Sequence, residues 1–375
     1  MKTGIKRTIY FIIVAVCVII FIAFIIKSGK ENSSKQAYSE TGFSMGTVLT
    51  ITLYGKNGEQ TSDDITELPG NLENGIISWR TEGSEVYRIN HEYEEGVPYP
   101  VSNELAEYIM LAKEISDKGA GLLDITIRPL ADIWGIEDGN TTVPDEKTIE
   151  AALGSVDYTR VHIKASDGTE CSLKSDVTDD EDYFITFDEE DMSIDLGAIG
   201  KGIACDVINE YLQSETVSGT VTGACIAVGG SILCYGEKPD GGKYSIGIRN
   251  PRGDESSVMG VISIDSSESS VFVSTSGDYE KYFIENGIRY HHILNPKTGF
   301  PADTGTISAT IICDNGALSD ALSTICILLD KDEALELVKS YGAEAVLIDE
   351  NKNVYVTEGI ASNFEITDED YNFYD

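Results

Sequence analysis

Basic residues are scarce in this chain. Its 375 residues include 27 Lys plus Arg against 64 Asp plus Glu, for a formal net charge of −37. A chain this acidic offers no cationic surface to a nucleic-acid backbone or to an anionic membrane surface, so both classes of partner are excluded. Histidine is also rare, with four in the whole sequence. The adjacent pair His291 and His292 is therefore a candidate for chemistry, although neighbours in a strand face opposite sides and only one can face a given pocket.

Several familiar site motifs are absent. None of the seven cysteines forms a CxxC pair, and most of the six beyond the amino-terminal apolar run lie in apolar segments, which predicts buried free thiols. Neither a Walker loop nor a full GxGxxG pattern occurs. The acidic segment 176–191 lacks the spaced ligands and glycine of a calcium loop, so we predict a solvated loop there. We also predict that residues 361–375 form a mobile acidic tail.

One long hydrophobic run is present. Residues 8–26 are uncharged and mostly apolar, with Lys2, Lys6 and Arg7 before them and Lys27 after. The run is long enough to span a bilayer, and no small-residue cleavage site closes it, so we predict an uncleaved single-pass anchor. The positive-inside rule then makes residues 1–7 a cytoplasmic stub and places the rest outside the cytoplasm, on the cell membrane. Residues 27–40 are predicted to be a linker, and residues 41–360 a single domain.

Within that domain, strand and helix patterns alternate. Leu49, Ile51 and Leu53 predict a strand over 43–54 with one buried face, which residues 44–46 lead into. A helix is expected from Ser102 to Gly119. Segment 77–90 is predicted to be a surface loop. Further strands are predicted in 224–236, on both sides of a Gly-Gly break, and in 244–248, 258–264, 271–276, 306–313, 343–348 and 353–357, with helices over 316–329 and 333–341.

The helix predicted over 316–329 carries two oxygen donors. Asp320 and Thr324 stand four residues apart, which puts a carboxylate and a hydroxyl on one helix face. A buried carboxylate needs a partner, and a hard cation such as Mg²⁺ would neutralise it. The alternative is that Asp320 sits at the helix rim while Thr324 bonds back to its own backbone.

A glycine-rich turn precedes a second predicted helix. In segment 193–206 a short strand delivers Asp195, glycines follow at 197, 200 and 202, and Lys201 supplies a cation. Free amides at a helix start favour an anion such as a phosphate, while a plain glycine-rich turn is the alternative. Asp124, which lies between apolar residues, is either a capping residue or a ligand contact.

Taken in order, these segments resemble the ApbE-type FAD:protein FMN transferases. The resemblance covers roughly 41–358 and lies in SMGT (44–47), SEVYRIN (84–90), DITIRPLADIWG (124–135), DLGAIGKG (195–202), VGG (228–230), STSGDYEKYF (274–283), HHILNPKTGFP (291–301) and SDALST (319–324). It implies an α+β fold, with a single T-fold-related catalytic domain of mixed and antiparallel sheets.

The resemblance also implies an activity. Such enzymes transfer the FMN half of FAD to a Thr or Ser hydroxyl of an acceptor protein, with Mg²⁺, and release AMP. The acceptors would be flavoproteins of membrane or extracytoplasmic electron transport. Two alternatives remain open, namely a pyrophosphatase that splits FAD to FMN and AMP, and an extracytoplasmic flavin-binding protein without catalysis.

Site residues follow from the matched motifs. The resemblance implies that the metal ligands are Asp320, Thr324 and the carbonyl oxygen of Ala198, and Ser323 stands where some relatives have a further acid. The FAD contacts would be Met45, Arg80, Leu122, Leu123, Asp124, Asp195, Lys201 and Leu294. Relatives often have Ala-Phe in place of Leu122-Leu123 and Tyr in place of Arg80, so Trp79 or Arg80 is expected to stack on the flavin. Asp320 and His292 are the catalytic candidates, with His292 as the base.

Overall fold

The computed structural model describes residues 37–374. The predicted cytoplasmic stub, the predicted anchor and most of the predicted linker lie outside this range. Among the helices within it, none combines the length and the hydropathy that crossing a bilayer requires.

The described part of the chain has the following elements. Its α-helices are α1 (Gly58–Leu72), α2 (Glu85–Glu92), α3 (Asn103–Lys118), α4 (Arg128–Trp134), α5 (Glu146–Leu153), α6 (Gly200–Gln213), α7 (Gly316–Leu328), α8 (Lys331–Ser340) and α9 (Glu358–Ala361). Its strands are β1 (Ala37–Ser44), β2 (Thr47–Gly55), β3 (Tyr99–Val101), β4 (Val161–Ala165), β5 (Tyr183–Phe187), β6 (Val221–Val228), β7 (Ser231–Gly236), β8 (Tyr244–Arg249), β9 (Val258–Ile264), β10 (Val271–Gly277), β11 (Tyr282–Glu285), β12 (Ile288–His291), β13 (Thr306–Cys313), β14 (Glu344–Asp349), β15 (Asn353–Val356), β16 (Phe364–Ile366) and β17 (Asn372–Phe373).

The largest sheet has nine strands in the order β1-β2-β6-β7-β10-β13-β14-β15-β17. All neighbours are antiparallel except β15 and β17, which run parallel. Helices α6 and α7 pack together on one face, where the main hydrophobic core lies. A second cluster on the other face joins this sheet to the three-stranded sheet β16-β9-β8. The mixed α+β fold agrees with the sequence prediction.

Local sequence patterns predicted many elements correctly. Leu49, Ile51 and Leu53 are at most 1% exposed, as the alternation in β2 requires. Helix α3 begins after Ser102, whose side chain accepts a hydrogen bond from the Leu105 amide, and ends at the predicted Gly119. The six cysteines in the described range are free thiols, as predicted.

The structure differs from the prediction at the start of the domain. Residues 37–44 form β1, which pairs with β2 along its whole length, so the end of the predicted linker belongs to the sheet. The two strands are joined at Met45 and Gly46, whose φ angles are 49° and 69°. A two-residue hairpin turn with both central φ angles positive matches the right-handed twist of its strands.

Two predicted loops contain regular structure. Segment 77–90 includes the start of α2, whose Val86 and Ile89 are fully buried one helical turn apart. The acidic segment 176–191 contains β5, the central strand of the sheet β3-β5-β4. Tyr183, Ile185 and Phe187 of β5 are at most 2% exposed. Both elements are short, and the charged residues around them obscured their apolar periodicity.

The predicted mobile tail is also wrong for the residues that the structure describes. β16 pairs with β9, and β17 pairs with β15. Between them, Tyr371 is 3% exposed, and its hydroxyl donates a hydrogen bond to Asn250 Oδ1 at 2.6 Å. Phe364 and Tyr371 thus pack on the domain, whereas Phe373, Tyr374 and most of the acidic residues of this segment are exposed.

Candidate active site

Asp320 lies at the centre of the candidate site, on α7 and only 2% exposed. Its Oδ2 accepts a hydrogen bond from the Gly202 amide at 2.9 Å, and its Oδ1 accepts one from Ser231 Oγ at 3.2 Å. Lys201 Nζ stands 3.7 Å from Oδ1. A buried carboxylate is costly unless it is paired, and here two donors and one cation offset that cost.

Helices α6 and α7 meet backbone to backbone at Gly202 and Gly316. A Cβ on Gly202 would lie 2.1 Å from the Gly316 carbonyl oxygen, and one on Gly316 would lie 2.3 Å from the Gly202 carbonyl oxygen. Glycine is therefore required at both positions, because any side chain would force the helices apart. This contact brings the amide of Gly202 to the carboxylate of Asp320.

The start of α7 is held by a second acid, the partly exposed Asp206. Its carboxylate accepts hydrogen bonds from the amides of Gly316 at 2.7 Å and Ala317 at 2.8 Å. Burial raises the pKa of Asp206 to about 6, although these two hydrogen bonds act to lower it. A carboxylate at a helix amino terminus satisfies amides that have no partner within the helix.

Hydroxyl groups follow Asp320 along α7 and face β10. Ser323 Oγ is 2.7 Å from Ser276 Oγ and donates to the Asp320 carbonyl at 2.8 Å. Thr324 Oγ1 is 3.2 Å from Ser276 Oγ and 3.3 Å from the same carbonyl oxygen. Thr324 thus makes the backbone contact that the alternative interpretation predicted, but Asp320 is buried rather than at the helix rim.

The glycine-rich turn leads into the first turn of α6, which lies next to the carboxylate of Asp320. Ala198 precedes Ile199, the amino-terminal cap residue of α6, whose side chain accepts no hydrogen bond from the amides of the first turn. A Cβ on Gly200 would lie 3.6 Å from Met45 Cε, so Met45 covers the first turn of the helix. That turn contains no acidic residue, and Lys201 is part of it. A helix start with a cation in its first turn is suited to an anion.

Asp195 enters the site on an extended segment rather than on the predicted strand. The side-chain amide of Asn90 holds this segment, accepting from the Ile194 amide at 2.8 Å and donating to the Ile194 carbonyl at 2.9 Å. Asp195 Oδ1 accepts from the Gly197 amide at 2.7 Å, and Oδ2 lies 3.3 Å from Arg128 Nη1. Burial raises the pKa of Asp195.

Two arginines stack on Trp79 beside Asp195. The guanidinium carbon of Arg128 is 3.2 Å from the centre of the Trp79 ring, and that of Arg80 is 4.1 Å away. Arg128 is only 5% exposed, which makes it a rigid part of this wall. Sequence reasoning singled out Trp79 and Arg80 but missed Arg128, which stands in the same motif as Asp124.

Leu122 and Leu123 are buried, and Asp124 is partly buried. The two leucines are 9% and 4% exposed and pack in the main core. Asp124 accepts hydrogen bonds from the amide and hydroxyl of Thr126 and from the Tyr158 amide, at 2.7, 2.6 and 3.0 Å. Its two oxygens thus fasten a turn, which matches the capping interpretation, although the cap residue of α4 itself is Ile127.

The two adjacent histidines have different surroundings. His291 is 4% exposed, its Nε2 bonds to the Ala302 carbonyl oxygen at 2.9 Å, and its Nδ1 accepts from the Ile293 amide at 3.3 Å. It is a fully bonded core residue. His292 is partly buried, and its Nδ1 has no hydrogen-bond partner among residues 37–374. Leu294 packs with Trp134 in a third hydrophobic cluster.

His292 belongs to a charged group that reaches Arg80. Glu137 pairs with Lys281 at 2.7 Å and with Arg80 at 3.2 Å. Burial lowers the pKa of His292 to about 4, and the charges of Lys281 and Lys201 act in the same direction while Glu137 opposes them. The imidazole is therefore neutral at pH 7. Sequence reasoning did not single out Glu137, which lies outside the matched motifs, or Lys281, which lies within STSGDYEKYF (274–283).

The family model of the ApbE family matches residues 45–347. The chain belongs to the ApbE family. It is 28% identical over 344 residues to an FAD:protein FMN transferase of Klebsiella pneumoniae, covering 92% of this chain and 99% of the relative. Over 343 residues it is 26% identical to an FAD:protein FMN transferase of Treponema pallidum, covering 88% and 90%.

Solved structures agree with this membership. The ApbE protein of Thermotoga maritima superposes with a TM-score of 0.74 at 27% identity, covering 88% of this chain and 99% of that one. The flavin transferase ApbE of Vibrio cholerae, at 22% identity and a TM-score of 0.73, shares the fold. The chain therefore has the ApbE fold that its sequence motifs predicted.

Within this ApbE fold, the oxygen donors around Asp320 suit one kind of metal. No group of three or more His, Cys, Asp or Glu residues in the described range could hold an ion on its own. One carboxylate with a neighbouring hydroxyl is a poor site for zinc, which prefers nitrogen and sulfur ligands. It suits a hard cation that keeps waters and takes substrate phosphates as further ligands, as Mg²⁺ does.

Proposed function

We propose that this chain transfers the FMN half of FAD to a Thr or Ser hydroxyl of an acceptor protein and releases AMP. The observation that carries the proposal is the buried carboxylate of Asp320, bound to the Gly202 amide and facing Lys201 at the start of α6. The Lys201 cation and the amides at the start of α6 favour a pyrophosphate, and the Asp320 carboxylate would hold the divalent cation that pairs with it. FAD contains an activated pyrophosphate, so the reaction needs no second nucleotide.

The reaction exchanges one phosphorus–oxygen bond for another. The acceptor hydroxyl attacks the FMN phosphorus, the bond to the AMP phosphate breaks, and the hydroxyl proton leaves, which gives a phosphoester and AMP. In phosphoryl transfer the protein mainly positions the groups and stabilises charge. Lys201 and the amides at the start of α6 would bind the pyrophosphate oxygens on which negative charge develops.

We assign the metal ligands to Asp320, Thr324 and the carbonyl oxygen of Ala198, with Ser323 beside them. When bound there, Mg²⁺ would neutralise charge on the pyrophosphate. The chain's own residues prepare the position, because the Gly202 amide and Ser231 orient the carboxylate and Ser276 orients the hydroxyls.

His292 is our candidate for the group that accepts the proton of the acceptor hydroxyl. Burial keeps the imidazole neutral across the neutral range, so a ring nitrogen can accept a hydrogen bond from the acceptor hydroxyl. Its Nδ1 is shielded from water without a partner in residues 37–374, so it is free to bond to an incoming polar group. Desolvation of this kind is common for groups that act only when substrate is bound.

The FAD rings would bind along the wall that Trp79, Arg80 and Arg128 form. Stacked guanidinium and indole groups present flat surfaces to a flavin or an adenine. Met45, which lies beside Gly200 in the first turn of α6, would contact the flavin. We assign Asp195, which Arg128 contacts, and Leu294 to the edge of the flavin site, whereas Leu122, Leu123 and Asp124 would shape its floor.

We further propose that residues 8–26 anchor the protein in the cell membrane and that the domain, from residue 41 onward, works outside the cytoplasm. The basic residues before the apolar run support this orientation. The acceptors would then be flavoproteins of membrane or extracytoplasmic electron transport.

The test is FMN transfer by Asp320→Asn. Asparagine keeps an acceptor for the Gly202 amide but loses the charge, so we expect an unchanged fold and at least a ~100-fold loss of transfer, seen as flavin fluorescence on the acceptor in a denaturing gel. Asp349→Asn is the matched control, because the hydrogen bonds of the Asp349 carboxylate within residues 37–374 go to Asn351, Asn353 and Tyr355 and to no residue of the candidate site. Full labelling by Asp320→Asn would refute the assignment.

AMP measurement separates the alternatives. We expect AMP from FAD and Mg²⁺ only when an acceptor protein is present. AMP without an acceptor would indicate a pyrophosphatase, and FAD retention without AMP under either condition would indicate a binding protein.

A further inference from the structure

The hairpin of β6 and β7 carries two cysteines directly opposite each other. The strands are joined by Gly229 and Gly230, and their register pairs Cys225 with Cys234 without a bulge. Side chains at paired positions lie on the same face of a sheet. The two thiols therefore meet on the face that packs against the sheet β16-β9-β8.

The backbone groups of Cys225 form hydrogen bonds with β2, on the side away from Cys234. The Gly229 amide donates to the Val48 carbonyl at 2.9 Å, which makes these two residues a hydrogen-bonded pair of β2 and β6. Bonded and non-bonded pairs alternate along antiparallel strands, and the register runs without interruption to Thr52 and Cys225. Cys225 lies four residues before Gly229, so it is again a hydrogen-bonded position. Its backbone amide and carbonyl groups therefore bond to Thr52 on β2.

The backbone groups of Cys234 form hydrogen bonds with β10, on the side away from Cys225. The Thr275 amide donates to the Gly230 carbonyl at 3.0 Å, and the same alternation along β7 and β10 directs Cys234 to Val271. Cys225 and Cys234 are consequently a non-hydrogen-bonded pair, in which Cα atoms lie about 4.5 Å apart and side chains are closest. Disulfides accept Cα separations of about 4.4–6.8 Å, so the backbone is already set for one.

The two thiols differ in access. Cys234 is fully buried, whereas Cys225 is partly exposed. Interaction with the Cys234 thiol lowers the pKa of Cys225, and the charge of Lys238 acts in the same direction. Cys225 is thus the thiol that meets an external reagent first, because the thiolate is the nucleophile.

We propose that Cys225 and Cys234 are a redox-active dithiol that a disulfide of another molecule converts to a cross-strand disulfide. The Cys225 thiolate attacks one sulfur of the external disulfide and releases one thiol. Cys234 loses its proton and attacks Cys225 Sγ in the mixed disulfide, which releases the second thiol. Two protein thiols are oxidised and one external disulfide is reduced to two thiols.

The disulfide would fasten the hairpin that supports the candidate site. Ser231, the first residue after the hairpin turn, donates the hydrogen bond to Asp320 Oδ1. Closing a loop of about ten residues restricts the unfolded chain, and for a domain of this size we expect the melting temperature to rise by about 2–4 °C.

The test uses oxidised glutathione on the folded full-length chain, followed by denaturation, alkylation and tryptic mass spectrometry. The peptide 202–243 contains Cys205, Cys225 and Cys234 and no internal tryptic site, since Lys238 precedes a proline. We expect one alkylated cysteine, Cys205, and a mass two hydrogens lower than that calculated for the same singly alkylated peptide with two free thiols. Prior treatment with dithiothreitol should restore three alkylated cysteines.

Variants test the order of the two steps. Cys234→Ala should trap glutathione on Cys225, whereas Cys225→Ala should leave the buried Cys234 unmodified. Cys205→Ala is the control, because Cys205 is equally buried but packs in the other core, and it should leave the disulfide intact. Three alkylated cysteines after oxidation of the folded wild type, or a bridge that includes Cys205, would overturn the proposal. So would an equal melting temperature of the oxidised and reduced wild type.

Discussion

The contact between α6 and α7 makes Gly202→Ala the most informative substitution. The new Cβ would lie 2.1 Å from the Gly316 carbonyl oxygen and 2.8 Å from Asp320 Cβ. Ordinary contact begins at about 3.4 Å, so the two helices would have to separate locally by roughly 1.3 Å. Neither neighbour can yield cheaply, because one is backbone and the other belongs to a fully packed side chain.

Gly202→Ala changes the free energy of unfolding through one stabilising and two destabilising contributions. Alanine favours a helix over glycine by about 1 kcal/mol. Overpacking costs about 1–3 kcal/mol, and loss of the hydrogen bond from the Gly202 amide to a charged acceptor costs about 1.5–3 kcal/mol more. The free energy of unfolding should therefore fall by about 1.5–5 kcal/mol. A shift of about 1 Å at Asp320 should also lower the rate of FMN transfer by about 100-fold.

The assay combines urea unfolding with transfer of FMN to an acceptor protein, measured at a temperature where the variant is folded. Gly316→Ala should behave like Gly202→Ala, because its Cβ would lie 2.3 Å from the Gly202 carbonyl oxygen. Gly75→Ala is the matched control, since its Cβ would meet no atom within 4 Å. If Gly202→Ala matched the control in both stability and rate, the close helix contact could not be what positions Asp320.

Three further predictions concern the metal, pH and the tail. Removing divalent ions with a chelator should abolish FMN transfer, and added Mg²⁺ should restore it; transfer that persists in the chelator would argue against the proposed site. Because the pKa of His292 falls from 6.5 to about 4 on folding, the unfolded state binds more protons between these values, and stability is lost as the pH falls through this range. His292→Gln should remove up to about 3 kcal/mol of that loss, measured by urea unfolding at pH 7 and 4.5, and equal pH dependence in both proteins would contradict it. Ending the chain after Ala361 should lower the free energy of unfolding by roughly 5 kcal/mol, because buried Phe364 and Tyr371 are lost, whereas an unchanged melting temperature would restore the mobile-tail prediction.

Local periodicity determined much of the fold. Alternation in β2 and on both sides of the Gly229–Gly230 turn predicted strands that the structure contains, and the cap residues of α3 predicted both of its ends. These patterns report on a residue and its near neighbours, which set backbone conformation directly. Elements of a few residues, such as β16, carry too little periodicity to be recognised in this way.

Sequence alone also identified the family and the helix face of Asp320, because eight ordered motifs and a four-residue spacing are local properties. The tertiary structure decided what surrounds that carboxylate. Its hydrogen-bond donors Gly202 and Ser231 lie 118 and 89 residues away along the chain, and Arg128 reaches Asp195 across 67 residues. Such contacts form only when helices and strands pack. The close approach of Gly202 and Gly316 and the depth at which Asp320 is buried then decide which distant groups meet.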